Sequence, residues 1–386
     1  MDYFFTEEQK MMVDLARKIA VEKIKPVREH YDETEEFAWP IIEELAKSDL
    51  CGVYIPQEYG GFGGGIFDLS LIVEELSKVD GAISLALAAT ALGTFPIILF
   101  GTDEQKKKYL PDIAAGKKLA AFAITEPNAG SDAGSIQTTA KKEGDHYVLN
   151  GTKCFITNAG EADVYTVIAM SDKSKGLRGA SCFILEKGME GFSFGKKEKK
   201  LGIRASATRE LIFNNCKVPK ENLLGKEGQG FIVAMKNFDA SRPGVGAQAL
   251  GIAAGALDDA LDYARKRVQF GHPIASLQAI QHMLADMATQ IEAARALIYA
   301  TARYIDANPG VRFTKESAMS KLFASDVAMK VTTDAVQIAG GYGYMREYPF
   351  EKRMRDAKIT QIYEGTNQIQ RNEIAQALIK EAIKGK

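Results

Sequence analysis

The sequence predicts a mostly α-helical protein with a β domain set in its middle. Two changes of pattern carry that reading. Apolar residues at three- and four-residue spacing dominate up to about Leu119 and return from about Gln229. The stretch between them consists of short β-prone runs separated by turn residues. The length, 386 residues, fits two or three domains. The expected units are an N-terminal helical domain over 1–119, a middle β domain over 120–228 and a C-terminal helical bundle over 229–386.

In the first unit, Thr6 and Gln9 form a capping box, and Met12, Leu15 and Ile19 follow on one helical face. Pro26 marks a break or kink. Thr102 and Gln105 repeat the capping pattern, and residues 60–65, GGFGGG, form a glycine-rich loop. In the middle unit, Tyr147–Leu149 and Cys154–Thr157 flank Asn150-Gly151, the strongest short signal for a hairpin. Further strands are expected at Val164–Ile168, Cys182–Leu185 and Leu211–Phe213, making an antiparallel all-β unit. In the third unit, Met319, Phe323, Val327, Val331, Ala335 and Ile338 share one face. Residues 251–305 are alanine-rich and long-helical, interrupted at Pro273, as closely packed bundle helices are.

Composition excludes several function classes. Lys plus Arg is 49 and Asp plus Glu is 50, a net charge of -1, which argues against a generic nucleic-acid coat or a polybasic membrane surface. Cys51, Cys154, Cys182 and Cys216 form no CxxC and read as reduced, buried thiols. The four histidines make no HExxH or HxxxH, so no metal site is expected. The start, Met1 to Gln9, is acidic and lacks the basic-then-apolar pattern of a signal peptide. No stretch is expected to reach the ~18 uncharged apolar residues of a membrane span. GxGxxG, GxxxxGK[ST] and GxSxG are all absent.

Three segments look chemically specialised. Residues 125–132, TEPNAGSD, make a turn whose amides and hydroxyls can donate to carbonyls or phosphates. Residues 265–271, RKRVQFG, put a basic cluster at a helix end, suited to a phosphorylated ligand. Residues 363–368, YEGTNQ, set a lone carboxylate beside glycine, a candidate general base with room for close ligand approach. Taken singly, each has a plainer reading: a loop, a solvated helix terminus and a surface turn.

Together they change the balance. With Phe5–Gln9, Tyr54–Pro56, Tyr59–Gly61, Asn150–Asn158, Val218–Gly225 and Gln337–Gly343, these segments resemble, in order and over nearly the whole chain, the acyl-CoA dehydrogenase family of flavoproteins. The resemblance implies an α-helical domain, a β-barrel-like domain and a C-terminal four-helix bundle. It implies FAD between the β domain and the last helices, usually in a homotetramer. Phe122, Ile124, Thr125, Gly130 and Ser131 match one flavin-contacting segment, and Phe155, Ile156 and Thr157 a second. Thr125 and Thr157 then hold the isoalloxazine edge. Arg267, Phe270, Gln278, Gln337, Gly340 and Gly341 match contacts to the pyrophosphate and adenosine, partly from a neighbouring subunit. Thr366 and Gln368 match further FAD contacts. Many relatives carry tryptophan where this chain has Phe155.

The resemblance also implies the chemistry. Glu364 removes the α-proton of an acyl-CoA thioester while the β-hydrogen leaves as hydride to the flavin. The thioester carbonyl is held by the base's own backbone N–H and a flavin hydroxyl. Some branches place the base at the position of Ser241, which cannot do that work. Ser131, Asp239, Arg242, Tyr363 and Gly365 match substrate contacts, and Asp239 with Arg242 also reads as an i,i+3 ion pair. Electrons are expected to pass to electron-transfer flavoprotein, in the cytoplasm or, for a processed form, in the mitochondrial matrix. The stretch 81–96, GAISLALAATALGTFP, corresponds to the acyl pocket and offers no cation, so a neutral short, branched or alicyclic acyl group is expected. A reductase or electron-bifurcating partner would use the same residues. A DNA-binding relative without dehydrogenase activity is disfavoured by the balanced charge and by Glu364. An oxygen-using oxidase would betray itself by peroxide.

Overall fold

The structure, a computed structural model, describes residues 3–385; Met1 and Asp2 of the acidic start, and Lys386, lie outside them. Helix α1 (Glu7–Ile19) opens on the expected capping box, Thr6 Oγ1 accepting the Gln9 N–H at 3.2 Å and Gln9 Oε1 accepting the Thr6 N–H at 3.1 Å. Its buried row is Val13, Ala16 and Ile19, while Leu15 is exposed and Met12 half-buried. That row continues through Ala20 and Ile24 of a π-helical turn ahead of Pro26, and seating it turns Leu15 outward.

Helices α2 (Arg28–Thr34), α3 (Trp39–Lys47), α4 (Ile66–Ser77), α5 (Gly81–Phe100) and α6 (Asp103–Ala114) complete the first unit. The second capping box stands at α6, where Thr102 and Gln105 bond reciprocally at 3.2 and 3.0 Å. Helix α5 corrects one expectation. It has 20 uncharged residues and a mean hydropathy of 2.1, so by length and composition it could cross a membrane. Here it is a core helix, most of it buried against α4, the first β-strand and a long helix of the third unit. Its hydroxyls turn inward on the helix itself, Thr90 Oγ1 donating to Ala86 O at 2.8 Å and Thr94 Oγ1 to Thr90 O at 2.6 Å.

The middle unit is one eight-stranded sheet: β1 (Ala120–Ala123), β2 (Thr139–Glu143), β3 (His146–Thr157), β4 (Val164–Met170), β5 (Ala180–Glu186), β6 (Phe192–Phe194), β7 (Thr208–Pro219) and β8 (Leu223–Leu224). The ladder runs β6-β7-β3-β2-β4-β5-β8. It is not wholly antiparallel, because β1 pairs β4 in parallel and Thr139 meets Met170 in parallel. Nor is Asn150-Gly151 a hairpin. Strand β3 runs straight through it, and the hairpin lies earlier, at Gly144-Asp145. At Asn150 the register against β7 slips, with Asn214 and Asn215 opposite one residue. Asn215 takes φ 50° and donates its N–H to Asn150 Oδ1 at 2.8 Å. Gly151 takes φ 143°, where a Cβ would sit 2.6 Å from Thr138 Oγ1. A bulge and a tight turn both ask for residues that tolerate positive φ, so the dipeptide alone does not separate them.

The third unit holds α7 (Gly230–Lys266), a short hairpin β9 (Val268–Gln269) and β10 (His272–Pro273), then α8 (Gln278–Ala307), α9 (Thr314–Ala339), α10 (Phe350–Thr360) and α11 (Asn367–Ile383). Helix α7 packs on α9, α8, α4 and α5. Pro243 inside α7 has no N–H for the Asp239 carbonyl, and Ser317 Oγ of α9 donates to it at 2.6 Å instead. On α9, Val327, Val331, Ala335 and Ile338 are buried as expected, whereas Phe323 is exposed and Met319 half-buried. The buried row at that end is Ser317, Ser320, Ala324 and Ala328, small residues that let α9 approach α7 closely and leave no room for a phenyl ring.

Candidate active site

A cavity of about 410 Å³ opens where α5, the ends of β1 and β3, α7 and the α10–α11 turn converge. Its lining includes Phe122, Ile124, Thr125, Gly130, Ser131, Phe155, Ile156, Thr157, Arg242, Tyr363, Glu364 and Gly365, so twelve residues singled out in the sequence share one space.

The β side is set by two devices. Residues 126–129 close a tight turn, Glu126 and Ala129 exchanging backbone hydrogen bonds at 3.1 and 3.0 Å. The buried Glu126 carboxylate accepts the N–H of Gln137 at 2.5 Å, the N–H of Thr138 at 2.9 Å and Lys153 Nζ at 2.7 Å. Lys153, itself buried, also donates to Ile124 O at 2.9 Å, next to Thr125. Burial pulls the Lys153 pKa down to about 8 against the pull of Glu126, whose own pKa is lowered by Lys153 and these hydrogen bonds despite its burial. The second device is a bulge. Cys154 and Phe155 oppose a single residue of β7, and Phe155 takes φ 58°. That turns the Phe155 ring out of the sheet, 67% exposed. Asn158, wholly buried, ties this strand end to α5 through Ala86 O at 3.0 Å and Thr90 Oγ1 at 3.2 Å.

The helical side carries the carboxylate. Glu364 takes φ 52° and Gly365 φ 92°, two left-handed residues in succession that turn the chain from α10 into α11. Such a conformation costs a non-glycine residue about 1–3 kcal/mol and persists only where its surroundings enforce it. Gly365 lines the cavity, and a Cβ there would meet Gln370 Nε2 at 2.6 Å. Gln370 Nε2 donates to Glu364 O at 3.0 Å and Gly365 O at 2.9 Å, and Thr366 caps α11 by accepting the Ile369 N–H at 3.3 Å. Ser241 Oγ donates to Glu364 Oε2, and Tyr363 OH to Gln248 Oε1. Glu364 keeps part of its surface on the cavity yet is densely surrounded by protein. Burial raises its pKa, opposed by the Ser241 hydrogen bond and by the positive charges of Arg242 and Lys321.

The three models for the acyl-CoA dehydrogenase N-terminal, middle and C-terminal domains match residues 6–117, 121–216 and 228–379. The chain belongs to the acyl-CoA dehydrogenase family. It is 49% identical to a short-chain-specific acyl-CoA dehydrogenase of Clostridium acetobutylicum, over 96% of this chain and 98% of that protein. It is 50% identical to acryloyl-CoA reductase (NADH) of Anaerotignum propionicum, over 98% and 96%. Butyryl-CoA dehydrogenase from Megasphaera elsdenii superposes with a TM-score of 0.95 at 50% identity, over 98% of this chain and 100% of that one. A chain solved in work on the electron transferring flavoprotein of Acidaminococcus fermentans and flavin-based electron bifurcation matches with a TM-score of 0.95 at 53% identity, over 98% and 99%. The protein is thus an oxidoreductase of the short-chain acyl-CoA dehydrogenase type.

The family is FAD-dependent, and a Bacillus anthracis acyl-CoA dehydrogenase solved in complex with FAD matches at 38% identity and a TM-score of 0.92, over 99% of this chain and 68% of that one. The cavity suits an isoalloxazine. Phe155 presents a flat ring on which, among the described residues, no other ring stacks, and Thr125 and Thr157 supply hydroxyls at the same wall.

Other expected contacts of this acyl-CoA dehydrogenase lie elsewhere. Arg267, Phe270, Gly340 and Gly341 line a separate cavity of about 610 Å³ that shares no residue with the first. Gln278, Gln337 and Gln368 are exposed and line neither. Asp239 does not reach the main cavity. It lies behind Arg242, 4.0 Å from it, and accepts Thr314 Oγ1 at 2.9 Å. Lys153, Asn158 and Lys321 were not legible as site residues. Each is a buried polar side chain whose partners are backbone carbonyls or groups distant in sequence, a signal that periodicity cannot carry.

Proposed function

We propose that this acyl-CoA dehydrogenase removes the α- and β-hydrogens of a neutral short-chain, branched or alicyclic acyl-CoA, with Glu364 as base. The observation that carries this is the Glu364 carboxylate standing on the wall of one cavity with Thr125, Phe155 and Thr157 on another and the apolar α5 side chains Leu85, Ala89 and Leu92 beside them. FAD, when bound there through Thr125, Ser131, Phe155 and Thr157, supplies the acceptor for the β-hydrogen as hydride. Glu364 takes the α-proton at its carboxylate. Its backbone N–H has no acceptor among the described residues, which leaves it free to donate to the thioester carbonyl and stabilise developing enolate charge. Burial that raises the Glu364 pKa makes it the stronger base.

The acyl end is apolar because the α5 hydroxyls are already spent. Ser84 bonds Ser77, Thr90 and Thr94 bond their own helix, and no cation lies on α5. The electrons pass to an electron-transfer flavoprotein, a reading supported by the Acidaminococcus match. The Anaerotignum relative supports a second reading, operation toward saturation of an enoyl-CoA as a reductase or bifurcating partner. In a homotetramer the second cavity, with Arg267 and Phe270, would serve the cofactor of a neighbouring copy. A cytoplasmic location fits this reading.

The test is Glu364→Gln. It should keep FAD and acyl-CoA binding yet lose flavin reduction by about 10²-fold or more; near-normal bleaching by substrate rejects Glu364 as base. A second measurement addresses the acyl group. With one acceptor at saturation, kcat/KM for butyryl-CoA should exceed that for glutaryl-CoA by about tenfold, a penalty of ~1.4 kcal/mol for an unpaired buried carboxylate. Equal turnover would mean that a cation from outside α5, such as Arg242 of α7 on the same cavity wall, reaches the acyl end.

A further inference from the structure

Behind the Glu364 turn lies a charged side chain that the mechanism does not use. Lys321 of α9 is fully buried and does not line the site cavity. Its Nζ donates to Gly365 O at 2.8 Å and to Asn367 Oδ1 at 2.9 Å, and no carboxylate lies within ion-pair distance among the described residues. A buried ammonium held only by a carbonyl and an amide is costly, since nothing there carries a compensating full charge at contact. The same helix face continues the grip. Ser325 Oγ donates to Asn367 Oδ1 at 3.1 Å, and Asp326 Oδ1 accepts Gln361 Nε2 at 2.7 Å and Asn367 Nδ2 at 2.8 Å. Residues of α9 therefore bind the chain just before and just after Glu364, the residue kept at φ 52°.

We propose that Lys321 is a positioning residue for the reaction: it holds the turn that carries Glu364 through the Gly365 carbonyl and sets a positive charge behind the base. The proposal rests on Glu364 being that base. The groups facing Glu364 are Ser241 and Arg242 from α7, Lys321 from α9 and Tyr363 on its own turn, with Glu373 of α11 and Asp239 beyond Arg242. Lys321 itself faces Glu364, Arg242 and Asp326. Removing the cation leaves Arg242 and the Ser241 hydrogen bond to favour the carboxylate, and removing the donor frees the Gly365 carbonyl that fixes the turn.

The experiment uses the FAD-loaded enzyme and butyryl-CoA, measuring anaerobic flavin reduction across pH for Lys321→Met, Lys321→Gln and Lys321→Arg. Met removes donor and charge. Its limiting rate should fall about tenfold or more, the scale of a misplaced reacting group, and its acid limb should move to higher pH. FAD content and butyryl-CoA affinity should stay within about twofold, because Lys321 touches neither. Gln restores the donor to Gly365, so it should recover most of the limiting rate while keeping the displaced acid limb. Arg keeps the charge and should hold the limb near its wild-type position. An unmoved limb in Met and Gln overturns the proposal, as does a loss confined to melting temperature and FAD content. Should Met fail to fold, the limb in Gln decides alone. Glu364→Gln run in parallel separates the two levels: retained flavin reduction in that variant defeats the base assignment, whereas its loss together with an unmoved limb in the Lys321 variants defeats only the positioning role.

Discussion

The two walls of the cavity are built alike and charged differently. On the β wall, Phe155 at φ 58° faces the cavity, and buried Lys153 bonds Ile124 O nearby. On the helical wall, Glu364 at φ 52° faces the cavity, and buried Lys321 bonds Gly365 O. Each wall thus presents a functional side chain from a left-handed residue and pins the adjoining backbone carbonyl with a lysine. The difference lies in the lysine's partner. Lys153 meets the Glu126 carboxylate at 2.7 Å, so that wall is locally neutral. Lys321 meets only Asn367 and a carbonyl, and burial takes its pKa down to about 7. A neutral pair fixes shape against the cofactor; a lysine with no carboxylate at contact, charged while the pH stays below about 7, also acts on the charge of the base.

Breaking the β-wall pair should give the largest effect on stability. Lys153→Met leaves the Glu126 carboxylate buried with only the Gln137 and Thr138 amides, a change that costs about 3–5 kcal/mol. Thermal unfolding should begin several degrees lower and FAD should be lost more readily. The acid limb of flavin reduction should not move, because Lys153 does not act on Glu364. A limb displaced as far as in Lys321→Met would erase the distinction between the walls, and an unchanged melting curve would show that the pair carries no weight.

That distinction also marks what the sequence could disclose. Capping boxes at Thr6 and Thr102 were legible because both partners lie within three residues. The three-unit order was legible because helix and strand periods differ over many residues. Glu364, Thr125 and Thr157 stand out in the sequence as parts of long ordered matches, and the fold brings them to one cavity. The hairpin at Asn150-Gly151 was misplaced because a bulge makes the same local demand as a turn. Lys321 was invisible for another reason: its anchor, Gly365 O, is a backbone atom 44 residues away, and no residue type encodes it. Helix α5 is a membrane-length apolar run whose serine and threonine hydroxyls are satisfied within the fold, a pairing that only the packed structure discloses.

A smaller effect is expected outside both walls. Arg267 lines the separate cavity, its guanidinium 5.3 Å from the Tyr342 ring centre. If that cavity serves a cofactor, Arg267→Ala should weaken FAD retention by about 1.5–3 kcal/mol, the worth of one charge-assisted contact. Flavin reduction in the fraction still loaded should match wild type, since neither wall has changed. Unaltered FAD affinity in a binding titration would reduce the basic cluster to a solvated helix end.

The smallest expected effect isolates the hydrogen bond from the charge on the helical wall. Ser241 Oγ–H donates to Glu364 Oε2, and a donor can be given only to the ionised or acceptor oxygen, so the bond favours the carboxylate and lowers its pKa. Ser241→Ala removes it while Arg242 and Lys321 stay in place. The Glu364 pKa, already raised by burial, should rise further. Since the carboxylate is the active form, rates fall on the acid side and the limb moves to higher pH. A hydroxyl bonds a carboxylate about 1 kcal/mol more strongly than it bonds the protonated acid, which is a little under one pH unit. Below the limb the rate should drop about fivefold; on the alkaline plateau, where Glu364 is ionised in both proteins, it should be unchanged. A plateau that falls with the limb would mean that Ser241 also fixes the carboxylate's direction, and that the helical wall depends on hydrogen bonding for aim as much as on Lys321 for hold.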